Sequence, residues 1–252
     1  MTIDQKTKEI RRLILDAAFY AKHGHMPSAL SIVEIITAIH ELKTEDDVFV
    51  LSKGHGCLAF YAHLATRGLV SQDELRAFGK NRSRLGGHPD RNKLAEIYAS
   101  TGSLAHGLPI CVGSALARKI QKKNGRIFCV VGDGESNEGP IWEACMIASK
   151  NRLNNLTCIV DNNNSQIRSL PTTNLAAKFK SFGWLTTEVD GHSVDDLIRE
   201  LNMTDSSMPR AIIANTVKGF GIEDVKNDIF AWHHRAPTQE EYEKFLREIN
   251  AT

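Results

Sequence analysis

From Thr101 onward, short β-branched runs alternate with amphipathic segments, and few folds accept that rhythm. Residues 127–131, 156–160, 185–189 and 210–215 read as strands. The periodicity between them predicts helices over about 104–122, 141–150, 194–201 and from beyond Pro171 to about Phe182. Strands joined through helices form βαβ crossovers, so the expected class is α/β: a mainly parallel sheet with helices on both faces. Upstream, Ile10, Leu13, Ile14, Ala17, Ala18 and Ala21 recur at helical spacing over 4–22, with Gly24 just beyond. A helix over 31–42, a strand over 48–51 and a helix on to about Arg67 follow, and Ser71 with Glu74 forms a capping box for the next. The charged helix over about 239–248 is expected to pack outside the main core. No internal repeat or low-complexity linker divides the chain, so one domain over 1–252 is expected.

Composition removes several classes of function. Lys+Arg number 31 against 30 Asp+Glu, leaving a net charge of +1 and no global attraction to nucleic acid or an anionic membrane. No apolar stretch approaches the roughly 20 residues of a spanning helix. The start, Met1-Thr2-Ile3-Asp4-Gln5-Lys6, is polar and reads as neither signal nor anchor. Five cysteines, an odd number without a CxxC pair and mostly among apolar neighbours, read as reduced structural thiols in a cytoplasmic protein.

In an open parallel sheet ligands sit at the carboxyl ends of the strands. One strand ends in Gly132-Asp133-Gly134-Glu135-Ser136-Asn137-Glu138-Gly139, and the next in Asp161-Asn162-Asn163-Asn164. Each alone is an ordinary turn. If the two strands are neighbours, Asp133 and one of the asparagines project side by side. A carboxylate with an amide oxygen suits a hard cation such as magnesium, which keeps phosphate and water oxygens as its other ligands. The glycines let the backbone approach a phosphate, and the helix start near Glu138 adds unpaired N–H groups. Together these parts describe a metal–diphosphate cradle.

Gly132-Asp133-Gly134 followed some 30 residues later by Asn163 resembles the thiamine-diphosphate signature. The longer string from Gly132 to Ala144 is similar to that of transketolases. So are Lys22-His23-Gly24-His25, Phe49-Val50-Leu51-Ser52-Lys53-Gly54-His55-Gly56, Gly87-His88-Pro89, Ser100-Thr101-Gly102-Ser103-Leu104, Phe182-Gly183-Trp184, Asp190-Gly191-His192 and Lys218-Gly219-Phe220-Gly221, in the same order.

The resemblance implies a role for each matching residue. Asp133, the Asn163 side chain and the Ser165 carbonyl hold Mg²⁺; Gly132, Gly134, Glu135 and Glu138 belong to the diphosphate segment; and His55 hydrogen-bonds the diphosphate. Gly102, Ser103 and Leu104 lie against the aminopyrimidine of thiamine diphosphate, and Ile167 lies near its thiazolium. His25 and His88 reach substrate hydroxyls, and His233 or His234 closes the site. Histidines suit proton movement on sugar hydroxyls near neutral pH. His40, His63 and His192 read as packed or surface residues, and Trp142, Trp184 and Trp232 as packing anchors. Three departures from the usual pattern, at His23, at Ala105-His106 and over 164–169, leave the donor and acceptor sugars open; His23 and the 164–169 run are expected near the substrate mouth or cofactor edge.

The resemblance also implies what lies elsewhere. In transketolases the glutamate that activates the cofactor belongs to a second domain, beyond the part matched here. A separate C-terminal subunit is therefore expected to supply it, as in split transketolases, in a two-plus-two heterotetramer. The activity implied is transfer of a two-carbon ketol unit between sugars or sugar phosphates, with no nucleic-acid or membrane partner. The alternatives are a deoxyxylulose-phosphate-synthase-like condensation, a ketol or acyl transfer in a specialised pathway, or a non-catalytic homologue. A nicotinamide-binding domain is disfavoured, because no Gly-x-Gly-x-x-Gly follows the first strand.

Overall fold

The structure is a computed structural model describing residues 1–168, 170–203, 207–233 and 235–251. In chain order it runs α1 (Ile3–Ala21), α2 (Met26–Leu30), α3 (Val33–Leu42), β1 (Val48–Leu51), α4 (Cys57–Thr66), α5 (Gln72–Arg76), α6 (Gly107–Ile120) and β2 (Ile127–Gly132). It continues α7 (Gly139–Lys150), β3 (Leu156–Asn162), α8 (Leu175–Ser181), β4 (Leu185–Asp190), α9 (Val194–Leu201), β5 (Arg210–Asn215), α10 (Glu223–Asn227) and α11 (Gln239–Ala251). The five strands form one sheet in the order β1-β2-β3-β5-β4, and every pairing is parallel. The α/β class with helices on both faces is as the alternation requires.

Side-chain alternation along the strands builds two cores. Phe49, Leu51, Phe128, Val130, Ile159 and Ile212 face α1, α3, α4 and α9; Val48, Val50, Cys129, Val131, Cys158, Val160 and Ile213 face α6, α7 and α8. Strands β1, β2, β3 and β5 are nearly continuous in apolar burial, as strands covered on both faces must be, whereas β4, at one edge of the sheet, exposes Leu185. Helix α4 is buried all round, from Cys57 to Leu64, because other helices enclose it as well as the sheet. All five cysteines are free and buried in this interior. Desolvation pushes the Cys57 thiol up to about 12 and raises those of Cys129, Cys145 and Cys158.

Three expectations are corrected. The helix expected from Ser31 starts at Val33, because Ser31 and Ile32 form a turn after the short α2, which Pro27 opens. The helix expected from Leu104 starts at Gly107, since Ala105 takes φ +68° and gives its N–H to Glu135 instead of a helical turn. The C-terminal helix is not outside the core: Phe245 and Ile249 are buried, and Tyr242 stacks on Phe19 of α1 with centroids 4.5 Å apart. The capping box of Ser71 and Glu74 is present. Trp184 and Trp232 are buried anchors, and half-buried Trp142 stacks on Phe182 at 5.2 Å. No helix among the described residues is long and apolar enough to cross a membrane.

Candidate functional site

Four strands deliver residues to one cavity of about 650 Å³ at their carboxyl ends. Lys53 and His55 follow β1, Gly132, Asp133, Gly134 and Glu135 stand at the end of β2, Asn163 and Ser165 follow β3, and Lys218 follows β5. His25 at the start of α2, His88, Gly102, Leu104, Gln166, Phe230 and His233 complete most of the wall. Strands β2 and β3 pair Gly132 with Asp161, so Asp133 and Asn163 emerge side by side, as adjacency demanded.

A buried polar network fixes the floor. The Asp161 carboxylate, fully buried, accepts from Lys53 Nζ, from Ser31 Oγ at 2.8 Å, from Asn163 Nδ2 at 2.6 Å and from Thr216 Oγ1. Lys53 Nζ also donates to the Ser28 carbonyl at 3.1 Å. Withdrawing two charges from water is costly, and such a pair persists only when the remaining lone pairs and protons find partners, as here. The network turns the Asn163 amide so that its nitrogen faces Asp161 and its oxygen faces away. That oxygen accepts from the Ser165 N–H at 3.0 Å, while Ser165 Oγ donates to Asp133 Oδ1 at 2.7 Å. One residue therefore bonds the oxygens of both Asp133 and Asn163, which converge on the same spot.

The opposite wall is tied to the sheet by Glu135. Its buried carboxylate accepts from Ser52 Oγ, from the Ala105 N–H at 2.8 Å and from the Gly132 N–H at 3.1 Å. Burial raises its carboxyl above the ordinary range against the pull of these three bonds. Thr101 Oγ1 donates to the Leu51 carbonyl at 2.8 Å, so the 101–105 segment is pinned at both ends. Gly102 has φ +153°, and a Cβ there would sit 3.3 Å from the His88 ring. At Gly134 a Cβ would come within 2.6 Å of Gln166 Nε2, so any side chain there would displace the Gln166 amide. Tyr61 Oη donates to the carbonyls of Gly86 and His88, each at 3.1 Å, and holds the His88 loop in place.

The electrostatics favour an anion near a cation-binding carboxylate. Burial and the repulsion of Lys53 lower the Lys218 pKa, partly offset by Asp133 and Asp161. Burial first, then Lys53, His25, Lys218 and His233, depress His55 to about 2, so its ring is neutral and can offer one N–H. His25 lies 5.5 Å from His55 and 5.1 Å from His233 between ring centroids. Among the described residues no group of three or more His, Cys, Asp or Glu side chains is placed to hold a metal ion by itself. The donor set at Asp133 and Asn163 is instead all oxygen, which suits Mg²⁺ and not zinc.

Of the residues singled out in the sequence, His25, His55, His88, His233, Gly102, Leu104, Gly132, Asp133, Gly134, Glu135, Asn163 and Ser165 line the cavity. Ser103, Glu138 and Ile167 do not: Glu138 is exposed at the start of α7, and Ile167 is 61% exposed. His234 lies outside the described residues. His23, expected near the substrate mouth or cofactor edge, packs on Phe78 at 4.9 Å and is not among the residues lining the cavity. Sequence reasoning gave no role to Lys53, Asp161 or Lys218, although all three stand inside the quoted strings. Their signal is a charged residue within three places of the end of an apolar strand.

The comparisons agree with this geometry. The family described as "Transketolase, thiamine diphosphate binding domain" matches residues 3–249. The chain is 32% identical to an apulose-4-phosphate transketolase subunit of Phocaeicola vulgatus, over 99% of this chain and 94% of that one. It is 32% identical to the 6-deoxy-6-sulfo-D-fructose transketolase subunit of Clostridium sp. strain MSTE9, over 98% and 96%. Human transketolase is 36% identical over 93% of this chain, which spans 40% of the human protein. The crystal structure of Campylobacter jejuni transketolase superposes with a TM-score of 0.90 at 25% identity, over 98% of this chain and 42% of that one. The chain belongs to the transketolase family and carries its thiamine-diphosphate-binding domain.

Proposed function

We propose that this chain, as one domain over 1–252, is the diphosphate-binding subunit of a split, cytoplasmic transketolase-type enzyme. With thiamine diphosphate and Mg²⁺ it transfers a two-carbon ketol unit from a ketose or ketose phosphate to an aldose. The observation that carries the reading is the convergence of Asp133 and Asn163 with Lys53, Lys218 and four histidines in one cavity at four strand ends. Asp133, Asn163 and the Ser165 carbonyl would hold the metal, and the Gly134 and Glu135 backbone with His55 would meet the diphosphate. The bound cofactor supplies the carbon–carbon bond cleavage and formation. The chain's own part is to orient it and to handle protons: His25, His88 and His233 would reach the substrate hydroxyls, and Gly102 and Leu104 would lie along the cofactor's flank.

The partner is proposed from the relatives. Two proteins named as transketolase subunits match this chain over 94% and 96% of their own lengths. A second subunit supplying the activating glutamate, in a two-plus-two assembly, completes the site. The same two names favour a specialised sugar as substrate over the ordinary pentose phosphates. The test is two-carbon transfer from a panel of ketose phosphates, apulose 4-phosphate and sulfofructose included, with thiamine diphosphate and Mg²⁺. Transfer is expected only when the product of the adjacent gene is added. Full transfer by this chain alone overturns the split reading.

A further inference from the structure

Lys218 occupies a position that its own electrostatics oppose. It is 6% exposed, lines the cofactor cavity and is repelled by Lys53, yet the 216–222 segment that carries it has no helix or strand of its own. Thr216 bonds Asp161 through its hydroxyl, and the Gly219 N–H donates to the Pro27 carbonyl at 3.0 Å, but neither bond reaches Val217 or Phe220, which lie nearer the surface.

Val217 and Phe220 are held by a chain of side chains from three other parts of the fold. Arg11 of α1 pairs with Glu34 of α3, both about 5% exposed. Glu34 Oε2 lies 3.0 Å from His192 Nδ1, in the turn between β4 and α9. His192 Nε2 accepts the Val217 N–H at 2.8 Å. Because a backbone N–H can only donate, Nε2 is bare and the proton sits on Nδ1, aimed at Glu34. Burial opposes the Glu34 charge, but the bonds from His192 and Arg11 hold its carboxyl below the ordinary range. The next turn of the segment is gripped as well: the Phe220 ring stacks on His192 at 3.7 Å and 15°, and the Arg11 guanidinium lies 5.0 Å from the same ring. Val217 and Phe220 thus flank Lys218 and are both fixed by His192. His192, Glu34, Arg11 and Phe220 line a different cavity, of about 590 Å³, and none of them lines the one that holds Lys218.

We infer that His192 is a positioning residue: oriented by Arg11 and Glu34, it clamps Val217 and Phe220 and so aims Lys218 at the bound diphosphate. The inference rests on the diphosphate reading of the cavity. Its physical content is preorganisation, in which the folded clamp meets the cost of confining two like charges before the anion arrives.

The two ring nitrogens can be tested separately. In His192→Gln the amide oxygen stands in for Nε2 and can still accept from Val217. In His192→Asn the shorter amide stands in for Nδ1, keeping the donor to Glu34 and losing the acceptor. The full chain, with its partner subunit present, is compared as wild type, both variants, Lys218→Ala and His192→Asn/Lys218→Ala. Without cofactor, amide hydrogen exchange over 216–221 should quicken in the Asn variant by on the order of tenfold and much less in the Gln variant. Thiamine-diphosphate affinity with Mg²⁺ should weaken by about tenfold in the Asn variant, recover in the Gln variant, and fall more than kcat at saturating cofactor. The double variant should bind no more weakly than Lys218→Ala alone. Unchanged exchange over 216–221 in His192→Asn, or additive losses in the double variant, overturns the inference. A wild type that binds no thiamine diphosphate overturns the diphosphate reading instead, and the exchange comparison still decides whether His192 holds the segment.

Discussion

His55 and His63 are both held near pKa 2, one at the cavity and the other in the helical layer between α3 and α4. For both, burial is the largest cause. Around His55 the further causes are Lys53, His25, Lys218 and His233, and the ring opens on space that a ligand can fill. His63 is 2% exposed, neither ring nitrogen has a hydrogen-bond partner, and its neighbour is His40, 4.2 Å away and itself lowered to about 4. A lost basicity therefore reports desolvation wherever it occurs. What separates a working histidine from a packed one is the cavity beside it and the charges that share that cavity.

The comparison breaks first at the metal. Asp133→Ala should lower Mg²⁺-dependent thiamine-diphosphate affinity by at least about ten- to a hundredfold, on the basis of about 1.5–3 kcal/mol for one charge-assisted bond removed. Its unfolding midpoint should change little, because a strand-end carboxylate adds little to the core. Asn163→Ala, which removes a neutral ligand, should weaken binding less. Titration calorimetry on the reconstituted complex decides both, and unchanged affinity in Asp133→Ala sinks the site.

Next come the proton-handling residues. His25→Ala and His88→Ala should keep the cofactor but lose turnover by about 10²–10⁴-fold, the usual contribution of a placed acid or base. His55→Ala should instead raise the cofactor requirement, by about 1.5–3 kcal/mol of binding. Steady-state rates at low and saturating cofactor separate the two patterns. Normal turnover in His25→Ala removes its substrate-facing role.

The smallest effects belong to the packed pair. His63→Leu should stabilise the chain by about 1–3 kcal/mol, since it removes two buried and unpaired polar atoms, and should leave cofactor affinity alone. The pair also sets an acid dependence. Its folded pKa values lie below the unfolded 6.5, so as pH falls below about 6.5 the unfolded chain takes up protons that the folded one refuses. Stability is complete above that value and declines toward about pH 4 and below, by up to about 1.4 kcal/mol per pH unit for each group. Urea melts at pH 7.5 and 5.5 should show the loss in the wild type and a smaller one in His63→Leu. Equal slopes refute the assignment.

The sheet was legible because four of its strands are apolar on both faces, the fifth is rich in β-branched residues, and all are too short for helices. Helices α2 and α10 were not, because five residues show no period. Helix α11 was misplaced because Phe245 and Ile249 are sparse among charges and only the fold reveals α1 beneath them. At the site, Asp133 and Asn163 were readable from their places after two strands, while the other residues singled out came from the resemblance to transketolases. Lys53, Asp161 and Lys218 came from neither, since a buried charge gains meaning only from the partners that tertiary structure brings to it. His192 reads in the sequence as a packed or surface residue. It is packed, and what its bonds hold in place could not be seen from position 192 alone.

The buried thiols have a practical corollary. Only a thiolate is an effective nucleophile, and all five cysteines are both enclosed and, at four of them, made less acidic by their surroundings. An alkylating reagent can therefore reach them only when the molecule opens, and the rate of modification becomes a clock for those openings. Cys57 lies beneath the loop that carries His88, its Sγ 3.2 Å from the Gly87 carbonyl, whereas Cys129 and Cys158 face each other on the central strands. Pulse labelling followed by mass spectrometry would thus time the loosening of one wall of the cavity separately from the parting of the sheet, with no engineered probe.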